Sequence, residues 1–374
     1  MNNPKKILIV FGTRPESIKM APLVNEFSNH TKSFITKVCV TAQHREMLDQ
    51  VMEFFQIKAD YDLNLMKPNQ NLYSITADII INLKKILDEF NPDFVFVHGD
   101  TTTSMAASLA SFYHGSKVCH IEAGLRTNNK LSPFPEEINR QITSRISDYH
   151  FAPTLKSKNN LIKENINKNN IIVTGNTVID ALLMSIKKIN KNPSSLIKSI
   201  YNKISNKDVI LVTAHRRENH GDGFVRICKA LKSIAVSSPN TIIVYPVHLN
   251  PNVLQPVNKY LSNIDNILLL EPLEYKDFIW MMNYSKLILT DSGGVQEEAP
   301  SLGKPVLVMR NNTERPEAVE AGTVILVGTN KDLIIKETLN LLNNKIEYNK
   351  MALKHNPYGD GKASYRIVKF LKKI

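Results

Sequence analysis

A chain of 374 residues is longer than one hydrophobic core usually supports, so two domains are the default expectation. Its 43% hydrophobic and 22% charged residues are ordinary for a globular protein, and no apolar stretch approaches the roughly 18 residues of a membrane span. The net charge of +12 comes from lysines scattered among asparagines, as in Lys156 to Asn170 and Lys187 to Lys203; without basic clusters interleaved with aromatics this argues against nucleic acid and leaves small anions as partners.

The first apolar run stops at Gly12-Thr13-Arg14, too soon for a signal peptide. Strands are expected at Lys6–Phe11, Ile35–Val40, Phe94–His98, Val118–Glu122, Tyr149–Ala152 and Ile171–Thr174. Helices are expected at Ser17–Ser28, Gln43–Phe55, Leu72–Glu89, Thr102–Tyr113 and Glu136–Ser147, the last entered through Pro133-Phe134-Pro135. The polar stretch Ser185 to Lys207, broken by Pro193, reads as a surface helix and a loop. A second series of strands follows at Val209–Thr213, Thr241–Pro246, Ile267–Leu270, Lys286–Thr290, Pro305–Met309 and Thr323–Val327. The pattern predicts an α/β fold of two Rossmann-like, doubly wound domains, 1–175 and 176–362, facing a central cleft. The terminal segment, 363–374, is expected to be helical from Ala363 and to cross back to the first domain. Cys39, Cys119 and Cys228 are isolated and lack CxxC spacing, so no disulfide framework or metal site is expected, and a cytoplasmic location fits.

Ligands of open α/β sheets bind beyond the carboxyl ends of the strands, and the notable polar residues lie there. The first strand delivers Gly12-Thr13-Arg14-Pro15-Glu16, with Lys19 a turn later. Cations at a helix start oppose its dipole, which favours an anionic ligand for Arg14. His98-Gly99-Asp100 and Glu122-Ala123-Gly124 end two further strands, although Asp100, taken alone ahead of a threonine run, reads better as the N-cap of the next helix. His215-Arg216-Arg217 and His248 do the same in the second half. The segment Thr290 to Ala318 is the most informative. Its Asp291-Ser292-Gly293-Gly294 turn suits an anion, while Glu297, Glu298 and Arg315 suit the rest of a nucleoside diphosphate.

Eight motifs then fall in one order: GTRPESIKMAPL (Gly12–Leu23), HGDTTT (His98–Thr103), HIEAGLRT (His120–Thr127), PEEINR (Pro135–Arg140), HRREN (His215–Asn219), YPVHLNP (Tyr245–Pro251), TDSGGVQEEAPSLGKP (Thr290–Pro305) and RNNTERPEAVEAGT (Arg310–Thr323). Over nearly its full length the chain resembles the non-hydrolysing UDP-N-acetylglucosamine 2-epimerases. The resemblance implies a GT-B-like pair of Rossmann domains and inversion at carbon-2 of UDP-GlcNAc to give UDP-ManNAc, without NAD, metal or other cofactor. It implies a homodimer whose product feeds surface polysaccharide synthesis, with neither membrane nor nucleic acid as partner. By motif position Asp100, Glu122 and Glu136 would handle protons or stabilise the cation, and His215 would sit by the diphosphate, with Arg14 and Lys19 opposite. Ser292, Gly293 and Gly294 would bind the phosphates and Glu298 the ribose, His248 would contact the substrate, and Arg140 and Arg315 would orient sugar or acids. Some members bind a second UDP-GlcNAc as activator through a QHRQ-type segment and an arginine. Here Gln43-His44-Arg45-Glu46 and Lys67-Pro68-Asn69-Gln70 depart from that pattern, so such activation is not expected. An epimerase of a modified UDP-HexNAc such as a uronic acid, a GT-B glycosyltransferase and a non-catalytic nucleotide-sugar sensor stay open as alternatives.

Overall fold

Short β-branched runs form two wholly parallel sheets, because strands covered by helices on both faces can be apolar throughout. The computed structural model describes residues 3–42, 45–66 and 70–374. Gln43, His44 and Lys67 to Asn69, which bear on substrate activation and on the expected start of the second helix, lie outside the described residues. The chain divides into two units: Met1–Ala181 with Tyr358–Ile374, and Leu182–Pro357.

The first unit contains β1 (Lys5–Phe11), α1 (Arg14–Ser28), β2 (Phe34–Val40), α2 (Arg45–Phe55), β3 (Tyr61–Asp62), α3 (Leu72–Phe90) and β4 (Phe94–His98). It continues through α4 (Thr102–His114), β5 (Lys117–Ile121), α5 (Glu136–Ile146), β6 (Tyr149–Ala152), α6 (Leu155–Lys163), β7 (Ile171–Val173) and the start of α7 (Thr177–Lys191). The sheet order is β3-β2-β1-β4-β5-β6-β7. The second unit adds α8 (Ser195–Ile204), β8 (Asp208–Thr213), α9 (Asp222–Ser237), β9 (Thr241–Pro246), α10 (Pro251–Leu261), β10 (Ile267–Leu270) and α11 (Tyr275–Tyr284). Then come β11 (Leu287–Thr290), α12 (Gly293–Glu298), β12 (Val306–Val308), α13 (Pro316–Glu320), β13 (Val324–Leu326), α14 (Lys331–Asn343) and α15 (Lys345–Ala352). Its sheet runs β10-β9-β8-β11-β12-β13. The chain reverses direction across each sheet between β1 and β4, and again between β8 and β11. Such switch points are where open α/β sheets bind ligands. The expected pair of Rossmann-like folds is therefore observed.

The departures from expectation have local causes. Helix α1 starts at Arg14 rather than Ser17 because Thr13 caps it in a reciprocal capping box with Glu16. Strand β5 ends at Ile121, since Glu122 adopts a left-handed φ of 62° that no strand continues. The polar stretch after Ser185 is two helices, α7 and α8, with Pro193 in the gap between them.

Helix α16 (Ala363–Leu371) belongs to the first unit and packs against α1. Its own N-cap residue, Lys362, supplies no side-chain bond. Asp180 of α7 does so instead, accepting from the backbone N–H of Ser364 at 2.8 Å and Ala363 at 3.1 Å. Phe370 sets its edge against Phe151 and Tyr149, with centroids 5.8 and 5.3 Å apart, and Lys5 Nζ donates to the carbonyls of Leu371 and Ile374.

Three imidazoles are buried in the first sheet. Burial pushes His98 and His150 down to about 4 and His120 to about 3. An unfolded chain takes up protons below about 6.5 that these folded rings refuse, so stability is present at neutral pH and lost as pH falls from 6.5 towards 4. Between pH 7 and 5 we expect a cost of about 2 kcal/mol per ring, seen as a falling denaturant midpoint. An unchanged midpoint would contradict neutral, water-excluded histidines.

Candidate active site

At the first switch point a carboxylate joins two turns. Glu16, 1% exposed, accepts from the backbone N–H of Gly12 at 3.1 Å and Thr13 at 2.8 Å, in the β1–α1 turn. Its other oxygen accepts from the hydroxyls of Thr101 at 2.6 Å and Ser104 at 3.1 Å, in the β4–α4 turn. Burial pushes the Glu16 carboxyl up, against the opposing pull of those donors. Arg14 and Lys19 are thereby fixed relative to Asp100.

Asp100 is not the cap of α4; Thr101 is, accepting from Ser104 N. The Asp100 carboxylate instead pairs with Arg140 of α5, and its carbonyl accepts from Asn139 Nδ2 at 3.0 Å. Arg140 Nη1 also meets Glu137 at 3.1 Å. Burial pushes the Glu137 carboxyl up, but the N–H of Thr127 and the Arg140 guanidinium outweigh it and hold it below the usual range. Glu136, in the same first turn, is partly exposed. One of its carboxylate oxygens is shielded from solvent without a hydrogen-bond partner among the described residues.

Glu122 is a second centre. Lys19 Nζ pairs with its Oε2, Asn176 Nδ2 donates to the same oxygen at 2.8 Å, and His98 Nε2 lies 3.7 Å away. The turn that presents it packs tightly. Gly124 has φ 93°, and a Cβ there would sit 2.2 Å from the Ser157 carbonyl oxygen. The Arg14 carbonyl accepts from the Ser17 hydroxyl at 2.8 Å, but its guanidinium makes no hydrogen bond or ion pair among the described residues, so its charge is available to a ligand.

The second unit repeats the device at its own switch point. Asp291, fully buried at the end of β11, accepts from the backbone N–H of His215 at 2.8 Å and Arg216 at 2.7 Å, just beyond β8. The His215 ring stacks on His248, centroids 5.1 Å apart and planes 13° apart. Burial lowers the His215 pKa, while the Asp291 charge pulls it up. His248 Nδ1 accepts from Asn250 N at 3.1 Å. Arg315 pairs with Glu297, and its guanidinium and that of Arg216 lie 3.8 and 3.9 Å from where a Gly293 Cβ would be. Helix α12 has only six residues, and the two guanidiniums add positive charge beside its first residue. The Ser292 N–H already donates to Thr290 Oγ1 at 2.8 Å, which leaves the Ser292 hydroxyl as its donor. Glu298 is 8% exposed.

The family model for UDP-N-acetylglucosamine 2-epimerase matches residues 26–372. The chain belongs to that family. It is 56% identical to UDP-N-acetylglucosamine 2-epimerases of Yersinia pestis and Escherichia coli K12, each over 98% of both chains. It also resembles the crystal structure of UDP-GlcNAc 2-epimerase from Neisseria meningitidis bound to UDP-GlcNAc, at 55% identity and TM-score 0.87, over 99% of this chain and 100% of that one. In this member of the UDP-N-acetylglucosamine 2-epimerase family, sequence reading named Lys19, Glu122, Asp100 and Arg140, which the fold joins in two pairs. It placed Glu16, His98 and Asp291 at strand ends without giving them individual roles, and did not single out Glu137 or Asn176. Only Glu16 carried a local signal, the Thr13-x-x-Glu16 spacing of a capping box.

Among the described residues no helix is long and apolar enough to cross a membrane.

Proposed function

We propose that the protein interconverts UDP-GlcNAc and UDP-ManNAc as a non-hydrolysing 2-epimerase. The reading rests on full-length family membership together with one observation: the first unit holds two separate acids, each against its own cation, Glu122 with Lys19 and Asp100 with Arg140. Inversion at carbon-2 needs proton traffic on both faces of the ring, hence more than one such group.

The carbon-2 hydrogen is not adjacent to a carbonyl, so it cannot leave first. As the carbon-1 to oxygen bond breaks, its electron pair departs with UDP and the ring gains oxocarbenium character. A carboxylate then takes the carbon-2 proton and the carbon–hydrogen pair closes a C1=C2 bond, giving 2-acetamidoglucal beside UDP. An acid on the other face returns a proton to carbon-2 while UDP re-adds at carbon-1. Asp100, Glu122 and Glu136 are the proton-handling candidates. Arg14, Lys19, His215 and His248 stabilise the departing diphosphate, as do the Ser292 hydroxyl and the N–H groups of Gly293 and Gly294. Glu298 takes the ribose hydroxyls, and Arg140 and Arg315 hold acids in place. From the family resemblance we assign the enzyme to the cytoplasm as a homodimer, with its product supplying a surface polysaccharide.

Incubation with UDP-GlcNAc in deuterated water tests this by proton NMR. UDP-ManNAc bearing deuterium at carbon-2 is expected. Free ManNAc with UDP would mean a hydrolysing enzyme, and an intact carbon-2 signal would mean a transferase or a binding protein.

A further inference from the structure

Glu122 stands in a backbone conformation that costs a side-chain-bearing residue about 1–2 kcal/mol, and such residues persist only where their surroundings hold them. Asn176 is among the groups that do so. Its Nδ2 donates to Glu122 Oε2 at 2.8 Å, while its Oδ1 accepts from Val178 N at 3.0 Å, at the start of α7. That second bond fixes which end of the amide faces the acid. Its backbone N–H donates to the carbonyl of Tyr358 at 2.7 Å, the first residue of the returning segment of this unit. The side chain is 3% exposed, so its geometry is set by packing rather than by solvent.

We propose that Asn176 is a positioning residue for proton transfer: it holds the Glu122 carboxylate in its working orientation and ties it to the point where the chain enters α7. The inference rests on Glu122 being a proton-handling acid. Asn176 needs no contact with the sugar. Lys19 supplies the charge on the same oxygen, and Asn176 supplies direction, since an amide N–H is a directional donor and an ammonium on a flexible stem is less so.

Two variants separate this role from simple helix capping. Asn176→Asp keeps an oxygen for Val178 N but replaces the donor facing Glu122 by an acceptor, whereas Asn176→Ser keeps a small capping hydroxyl and removes that donor. Both are measured by carbon-2 deuterium exchange, with UDP affinity and denaturant midpoint alongside. At unchanged midpoint we expect kcat for exchange to fall at least tenfold in both, with KM and UDP Kd within about twofold of wild type. Full exchange in Asn176→Asp would reduce Asn176 to a cap and overturn the proposal. So would a loss expressed in KM alone. Should both variants fold poorly, a midpoint-matched Asn266→Ala control in the second unit, where that amide donates to the carbonyls of Ala235 and Thr241, sets the baseline, and an equal loss of kcat there also overturns it. Glu122→Gln distinguishes the underlying reading: if it retains exchange, the assignment of Glu122 falls first and this inference with it.

Discussion

Glu122→Gln and Asp100→Asn are each expected to slow carbon-2 exchange by about 10²–10⁴-fold, the usual contribution of one positioned proton-transfer group. UDP affinity should stay within about twofold. Both changes keep side-chain volume and remove the ability to take or give a proton, together with the charge that pairs with Lys19 or Arg140. The two acids occupy different centres: Glu122 sits with Lys19, Asn176 and His98, and Asp100 sits with Arg140. Loss of one therefore leaves the other ordered. Asp291, Ser292 and Gly293 belong to the other unit, and the residues proposed there for the diphosphate are altered by neither change. Exchange by single-turnover NMR and UDP binding by calorimetry check the two halves of the expectation. Wild-type exchange in both variants would remove the proton-handling assignment altogether.

The second large effect is expected from Asp291→Ala. It should lower stability by about 3 kcal/mol and weaken UDP binding at least tenfold. Asp291 has no solvent exposure, and its carboxylate receives the backbone N–H groups of His215 and Arg216. Truncation leaves those donors unpaired in the interior, at roughly 1–3 kcal/mol each. It also releases the turn that aims the His215 ring and the Arg216 guanidinium. Asp291→Asn keeps an acceptor oxygen and should recover most of the stability. Urea unfolding and UDP titration of the pair decide the matter, and an alanine variant matching wild type in both would show that the turn holds without it.

Much of the fold could be read from the sequence because each parallel strand is a self-contained apolar run. KKILIVF and FVFVH need no tertiary context to declare themselves. Tyr61–Asp62, a strand of two residues, offers no such run and went unseen. Site residues at strand ends were legible for the same reason that the strands were. Their partners were not. Asn176 and Glu122 are 54 residues apart, and Glu16 and Thr101 are 85 apart, separations that no helical or turn spacing spans. The left-handed backbone of Glu122 was equally hidden, since glutamate carries no preference for it. Glu297 and Glu298 looked like a matched pair; the fold buries both and sets Glu297 against the Arg315 guanidinium, 18 residues on.

Helix α16 lies at the far end of the chain yet completes the unit that the chain begins. On a ribosome adding about 5–20 residues per second, α1 and Phe151 wait roughly ten to thirty seconds while the intervening unit is made. Throughout that interval the nascent first half shows an apolar flank that the buried face of α16, with Ile367, Val368, Phe370 and Leu371, will later cover. A premature stop just before Tyr358 would thus spare the later-made half and leave the earlier one unfinished, a target for chaperones and proteases.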